Sequence, residues 1–169
     1  RALHSIYNPS LAVDVMARLR RRVPDAALSM YGPDKGDGSR EQLEKRIEST
    51  NLGSHVQWRG GVSKEDVPRI LAEGDVFLNT SNVDNTPVSV IEGMASGLCV
   101  VSTDVGGMPY LIENERDGLL VPPRNGDAMA TAAGRVLTEP ADAARLSVNA
   151  RQKAERYDWS VVLPQWAAI

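Results

Sequence analysis

"DVFLNTSNVDNTPVSVIEGMASGLCVVSTDV", residues 75–105, consists of two short apolar runs with a polar loop and a helical segment between them. The runs "DVFLNTS" and "LCVVSTDV" resemble strands that are buried on both faces of a parallel sheet. The segment between them leaves its loop at Pro87 and continues as a helix to Ser96. Two parallel strands require a crossover of this kind, so the stretch predicts a βαβ unit.

Strands and helices are predicted to alternate along the rest of the chain. Gly53 is expected to end a helix and Ser63 to begin the next one. The pattern predicts the α/β class, with a doubly wound, Rossmann-like parallel sheet that binds ligands at the loops after its strands. The further predicted strands are 26–32, 55–60 and 118–123, and the further helices are 9–22, 40–53, 63–74, 106–114, 127–137 and 141–156, before a tail at 157–169.

Length and composition narrow the classes of function. A chain of 169 residues that is 42% hydrophobic fits one domain over residues 1–169. A net charge of -3 argues against a nucleic-acid partner, and no apolar run reaches the ~20 residues of a membrane span. We therefore expect a cytoplasmic protein, with peripheral membrane contact left open. Cys99 has no second cysteine, and neither His4 nor His55 has a second ligand at metal spacing, so no metal is expected.

The start of the central helix has groups that suit a phosphate. Thr86 is predicted to cap this helix, with Pro87 at its first position. The amides of Val88 and Ser89 are then free donors at the positive end of the helix dipole. Free amides in this position bind phosphate, so the loop is a candidate nucleotide site.

Two carboxylates flank these amides. Glu92 lies one turn into the helix, where it is able to accept two hydrogen bonds, for instance from a ribose diol, and Asp84 lies on the loop. One interpretation is a pair that holds both ends of a nucleotide-linked ligand. The other is two ordinary acidic residues beside a capped helix, because acidic side chains favour helix starts. The spacing alone leaves both interpretations open.

A longer segment, "SNVDNTPVSVIEGMASGLCVVSTDVGGMPYLIENERDGLLVPP", resembles the donor-binding half of retaining GT-B glycosyltransferases of family 4. That family has Ser, two residues, Glu-Gly-Phe-Pro, then Leu-Glu-Ala-Met-Ala, Val-Gly-Gly and Gly-Leu-Leu-Val-Pro-Pro. The similarity continues in "VPDAALSMYGPDKG", in "LGSHVQWRGGVSKEDVPRILAEGDVFLNTS" and in "RYDWSVVLPQW", and thus covers nearly the whole chain. The resemblance implies one half of a GT-B fold and an enzyme that transfers a sugar from a nucleoside-diphosphate sugar with retention of configuration.

The resemblance also implies roles for individual residues. Asp84 and Glu92 match the two glutamates of the family motif, with Asp84 at the catalytic position near the donor sugar and Glu92 at the ribose. No metal or other cofactor is implied, and the implied partners are the nucleotide sugar and an N-terminal acceptor domain. The further donor-binding residues implied are Thr86, Pro87, Val88 and Ser89 at the distal phosphate, Gly61 and Val62 at the base, and Gly32 in the first glycine loop.

Some positions depart from the family pattern. Asp84 is one methylene shorter than Glu, and "NT" after it replaces Gly-Phe. Ala2 and Tyr7 occupy the positions where the family has an Arg and a Lys that neutralise the diphosphate. Arg1 and Lys35 remain as candidates for that role.

The chain starts at "RALHSIYNPSLAV" without the strand expected before such a loop, so we expect it to be part of a larger enzyme and inactive alone. Trp159 and Trp166 are expected to pack the closing segment. Two alternatives stay open. A GT-B-like sugar-nucleotide epimerase shares the fold, although this half has no His/Glu set for proton abstraction, and a non-catalytic nucleotide-binding module shares the binding groups. The base, the sugar and the acceptor are not determined by the sequence.

Overall fold

A computed structural model describes residues 1–167, so Ala168 and Ile169 of the predicted tail lie outside the described residues. Strands and helices alternate through most of the chain, as the apolar pattern predicts. The strands are β1 (Leu28–Met30), β2 (Val56–Trp58), β3 (Val76–Asn79), β4 (Cys99–Thr103) and β5 (Leu119–Val121). The helices are α1 (Pro9–Leu19), α2 (Ser39–Ser49), α3 (Val67–Leu71), α4 (Val88–Ala95), α5 (Met108–Leu111), α6 (Gly126–Thr138), α7 (Pro140–Ala154) and α8 (Trp159–Ala167), and Ser5–Tyr7 and Glu155–Tyr157 form single 3₁₀ turns.

All strand pairs are parallel, which confirms the predicted α/β class. The strands do not form one sheet, however. β1 pairs with β2, and β3, β4 and β5 form a separate sheet in that order. The predicted α/β fold class is confirmed, and the described strands are arranged in one sheet of two strands and one of three.

Helices cover both faces of the three-stranded sheet. β4 is buried at every position, and its successive side chains point to opposite faces. Val101 packs into a core that α1 and α6 cover, whereas Val100 packs into a second core under α4 and α7. Each fully buried Val or Met of this kind contributes roughly 1.5–3 kcal/mol, so these two layers fix the orientation of α4 and of the loop that precedes it.

Two predicted helix ends differ from the structure. Asn51, in the left-handed conformation at φ 57°, follows the end of α2, and Gly53 does not cap it. Ser63 Oγ accepts a hydrogen bond from the Asp66 amide at 3.2 Å, but this bond closes a turn, and α3 begins only at Val67 without a side-chain cap.

The tail forms helix α8, which has no buried residue. Trp159 is 73% exposed and Trp166 is 74% exposed, so the expectation that these side chains pack the closing segment is wrong. The apolar composition of the tail predicts burial, but α8 contacts mainly the turn just before it. Within residues 1–167, no helix combines the length and the apolar composition that crossing a bilayer requires.

Candidate functional site

The predicted ligand-binding loops lie at the carboxyl ends of the parallel strands. The loop between β3 and α4 contains Asp84, and the segment 1–8 crosses the end of β3 beside it. The Asn82 amide donates to the Ile6 carbonyl at 2.8 Å, and Thr80 Oγ1 donates to the Tyr7 carbonyl at 2.8 Å. These bonds bring the first residues of the chain against the loop that carries the candidate catalytic carboxylate.

Asp84 is held by a polar chain that runs into the sheet. Its side chain is only 6% exposed, and its Oδ2 lies 2.9 Å from Ser81 Oγ. Ser81 Oγ lies 2.7 Å from Asn79 Oδ1, and Asn79 Nδ2 donates to Ser102 Oγ at 3.1 Å. Because the single hydroxyl proton of Ser81 serves one acceptor at a time, Ser81 is shared between the carboxylate and the buried amide. Ser81 and Asn79 thereby orient Asp84.

Arg1 is the cation that faces this carboxylate. Its guanidinium forms an ion pair with Asp84 and lies 4.0 Å from the centroid of the Tyr7 ring. The terminal amine of Arg1 donates to the Tyr31 carbonyl at 2.7 Å. Arg1 therefore neutralises Asp84 from a fixed position, and Tyr7, which replaces a family Lys, supports the guanidinium by a cation–π contact.

The start of α4 is built differently from the prediction. The helix begins at Val88, and Pro87, at φ -70° and ψ 118°, is its cap residue, so Thr86 does not cap it. The Val90 amide turns back to the Pro87 carbonyl at 3.0 Å. Within residues 1–167, the amides of Val88 and Ser89 donate to no acceptor, which is the feature that the phosphate prediction requires.

Ser89 adds a hydroxyl to these amides. Its Oγ is buried and has no hydrogen-bond partner among the described residues. Glu92, half-buried one turn further along α4, lines the same cavity as Ser89 and Arg1. Burial lowers the pKa of the Arg1 amine, and the charge of Glu92 acts on it in the opposite direction. The two carboxylates and the free amides thus lie at one edge of the sheet.

Two glycines allow the Asp84 loop to pack closely. Gly106 has φ +53°, and a side chain there would overlap the Asp84 carbonyl. Gly107 donates its amide to that carbonyl at 3.1 Å, and a side chain on it would collide with Asn85. Both glycines therefore contact the loop backbone directly, which explains the Val-Gly-Gly motif by packing.

The remaining predicted residues divide into two groups. Gly32 and Val62 line the cavity with Arg1, although Gly32 is required here because the Arg1 carbonyl occupies the space of a side chain. Neither Gly61 nor Lys35 lines the cavity: a side chain at Gly61 would meet Pro33, and Lys35 is exposed. The structure therefore brings Arg1, and not Lys35, to the candidate site.

Sequence reasoning gave no role to Ser81, Asn79 or the Tyr7 ring. A signal for Asn79 existed, because an amide that ends an apolar strand must find buried partners. Within residues 1–167, no cluster of three His, Cys, Asp or Glu side chains has the geometry of a metal site.

Residues 2–153 match the family of group 1 glycosyl transferases. The chain belongs to this glycosyltransferase family. Among its relatives, the GDP-mannose-dependent alpha-(1-6)-phosphatidylinositol monomannoside mannosyltransferase of Mycolicibacterium smegmatis is 29% identical over 157 residues, which are 88% of this chain and 40% of that protein. The chain thus spans well under half the length of this relative.

Two solved structures show the same fold. Anabaena HepE, solved in complex with UDP and glucose, matches with a TM-score of 0.92 at 22% identity over 99% of this chain and 46% of that chain. The C-terminal domain of a group 1 glycosyl transferase, LpcC of Francisella tularensis, matches with a TM-score of 0.85 at 16% identity over 94% of this chain and 83% of that chain. The predicted family and the predicted half of a GT-B fold are both confirmed.

Proposed function

We propose that this chain binds the nucleoside-diphosphate sugar donor of a retaining glycosyltransferase at the loop between β3 and α4. The observation that carries the proposal is that Ser89 and Glu92 of α4 line one cavity with Arg1, which pairs with Asp84, beside the free amides of Val88 and Ser89. A bound diphosphate requires hydrogen-bond donors, and a ribose diol requires a hydrogen-bond acceptor. The donor sugar requires an oriented polar group close to its anomeric carbon. The site offers each of these.

The chemistry of the donor assigns a task to each group. Departure of the nucleoside diphosphate places negative charge on phosphate oxygens, and the Val88 and Ser89 amides and the buried Ser89 hydroxyl are placed to donate hydrogen bonds to these oxygens without reorganisation. Glu92 would accept hydrogen bonds from the ribose. Asp84, oriented by Ser81, would position the donor sugar, and no metal is required by this arrangement.

Arg1 enters this proposal because, among the described residues that line the cavity, it is the only Arg or Lys. In the structure its charge is paired with Asp84. A diphosphate at the α4 start would compete with Asp84 for the same guanidinium, so binding would transfer part of this pairing to the ligand. Lys35 remains a weaker proposal because its side chain is outside the cavity.

We propose that the complete enzyme contains a further domain. The relatives are longer than this chain, which supports an N-terminal domain that binds the acceptor. We propose that transfer takes place between the two halves, with retention, and that the isolated chain binds donor without transferring it. The predictions of a cytoplasmic location and of membrane contact remain untested.

The decisive measurement is calorimetric titration of the chain with UDP, GDP and their sugars. Glu92→Ala should weaken binding of the preferred nucleoside diphosphate about 10- to 100-fold, because hydrogen bonds to a charged group are worth ~1.5–3 kcal/mol. Glu48→Ala is the matched control, since Glu48 is an exposed helical carboxylate on α2. Unchanged affinity for Glu92→Ala would contradict a donor site here.

The same titration separates the alternatives. Nucleoside diphosphate and nucleotide sugar should both bind, with the sugar adding affinity through Asp84. A module that binds the nucleotide without using the sugar would show equal affinity for both ligands and no effect of Asp84→Asn. Conversion of the sugar without an acceptor, measured by NMR, would favour the epimerase.

A further inference from the structure

The residues just beyond β3 direct their side chains alternately to two sides. The Ser81 hydroxyl lies against the Asp84 carboxylate. The side chains before and after it, Thr80 and Asn82, donate instead to carbonyls of the segment 1–8. An extended chain places successive side chains on opposite sides in this way. One short stretch therefore contacts both the candidate catalytic carboxylate and the segment that carries the cation facing it.

Asn82 binds one turn of that segment with its backbone and with its side chain. Its backbone amide donates to the Ile6 carbonyl at 2.8 Å, and its Nδ2 donates to the Ser5 carbonyl at 3.2 Å. Its Oδ1 accepts a hydrogen bond from Asn8 Nδ2 at 3.3 Å. Three polar groups of Asn82 thus fix the position of this turn relative to the Asp84 loop.

Asn8 connects the same turn to α1. It has the left-handed conformation, with φ 48° and ψ 58°, which Asn adopts more readily than most residues. Its amide donates to the Ser5 carbonyl at 3.2 Å, and its carbonyl accepts from the Leu11 amide at 3.1 Å. The hydrogen bond between Asn8 and Asn82 therefore holds the loop beside β3 against the start of a helix that packs into the main core.

The turn that Asn82 binds also supports the Arg1 side chain. The Arg1 guanidinium pairs with Asp84 and lies 4.0 Å from the centroid of the Tyr7 ring. Tyr7 ends this turn, and its carbonyl accepts from Thr80 Oγ1 at 2.8 Å. Because an Arg side chain has several rotatable bonds, its position depends on such support. A shift of the turn would carry the ring, and with it the guanidinium, away from Asp84.

We propose that Asn82 is a positioning residue of the candidate site, which holds the Arg1 guanidinium beside Asp84 through the turn Ser5–Tyr7. Asn82 does not line the cavity, so it acts on a ligand there only through Arg1. The effect of Asn82 on donor binding rests on the proposed function. Its effect on the position of the segment 1–8 is independent of any ligand.

Amide hydrogen exchange of the ligand-free chain, followed by NMR, tests the hold on the segment. Asn82→Ala should speed exchange of the Tyr7 and Asn8 amides, which close the turn, by about tenfold or more. The amides of β4 should exchange at the parent rate. Unchanged exchange in the turn, or equal acceleration throughout the chain, would overturn the proposal.

A second variant removes one contact without disturbing the backbone. Asn8→Gly keeps the left-handed conformation, which glycine adopts at no steric cost, and removes only the hydrogen bond to Asn82. Exchange in the turn should become faster, but less so than in Asn82→Ala. Asn51→Gly is the matched control, because Asn51 has a similar φ of 57° and an exposed side chain. Equal exchange in the two glycine variants would contradict the role of the Asn8 contact.

Calorimetric titration with UDP and GDP tests whether Asn82 acts through Arg1. Asn82→Ala should weaken binding of the preferred nucleoside diphosphate about 3- to 10-fold, the range that one or two hydrogen bonds span. In a chain that already has Arg1→Ala, adding Asn82→Ala should leave the affinity unchanged, because no guanidinium remains to be positioned. A general loss of structure would weaken binding equally in both chains. Equal losses would therefore overturn the positioning role.

The outcomes separate this inference from the proposed donor site. If Glu92→Ala weakens nucleoside diphosphate binding and Asn82→Ala does not, the donor site stands and the positioning role of Asn82 fails. If neither UDP nor GDP binds the parent chain, the proposed donor site fails. The exchange rates of the turn then decide by themselves whether Asn82 holds the segment 1–8.

Discussion

At the scale of single residues, packing against the backbone constrains several positions of the candidate site. Gly106 and Gly107 pack against the backbone of the Asp84 loop, and the Ser81 hydroxyl orients the Asp84 carboxylate. Asp84, whose side chain is one methylene shorter than the Glu of the family pattern, is thus held in place by its neighbours. Arg1 holds the same carboxylate in an ion pair.

Substitution of Gly106 tests this support. Gly106→Ala should lower the free energy of unfolding by about 1–3 kcal/mol, because φ +53° is unfavourable for Ala and the new methyl overlaps the Asp84 carbonyl. Donor affinity should fall in the same variant as the loop is displaced. Gly53→Ala is the control, since a side chain there meets no atom within 4 Å. Denaturant unfolding and calorimetry measure both effects, and equal stability of the two variants would refute the packing role.

At the scale of elements, Asp37 joins the start of α2 to the segment 1–8. Its Oδ2 accepts from the Ser5 amide at 2.8 Å, and its Oδ1 accepts from the Ser39 amide at 3.1 Å. These hydrogen bonds, that of the Ser5 amide foremost, hold the pKa of Asp37 well below its ordinary value of 3.8. The ionised form therefore stabilises the position of the segment that carries Arg1.

The contribution of Asp37 should depend on pH. A folded-state pKa below the unfolded value gives stability that is complete above about pH 4 and is lost as the pH falls toward the lowered pKa. Asp37→Asn should therefore lower the melting temperature at pH 7, and its difference from the parent chain should shrink below pH 4. Asp25→Asn, at an exposed carboxylate, is the control. A difference that grows on acidification would contradict this assignment.

At the scale of the whole molecule, the chain has the elements of one half of a GT-B fold. It spans 40% of one relative and 46% of the chain of another protein with the same fold. The candidate donor site lies at the carboxyl ends of the parallel strands. Helix α8, with both of its tryptophans exposed, is a further surface that the described residues leave uncovered.

The isolated chain should therefore bind donor without turnover. Incubation with the nucleotide sugar that binds most tightly and with a panel of sugar and lipid acceptors should release no more nucleoside diphosphate than buffer does, because no acceptor group is fixed near the anomeric carbon. Release is measured by a coupled assay or by ³¹P NMR. Acceptor-dependent transfer by this chain would disprove the half-enzyme proposal.

The sequence by itself determined the alternation of strands and helices, the free amides at the start of α4, and the family. These depend on local periodicity and on ordered motifs, which act within a few turns of chain. Only the tertiary structure decided that Arg1 pairs with Asp84, that Gly106 and Gly107 pack against the Asp84 loop, and that the strands separate into two sheets. Each of these contacts joins residues distant in sequence, and whether the backbones approach closely depends on how whole layers pack. The apolar composition of α8 and β1 predicted buried side chains. Burial requires a second element to pack against, and the tertiary structure decides which elements meet.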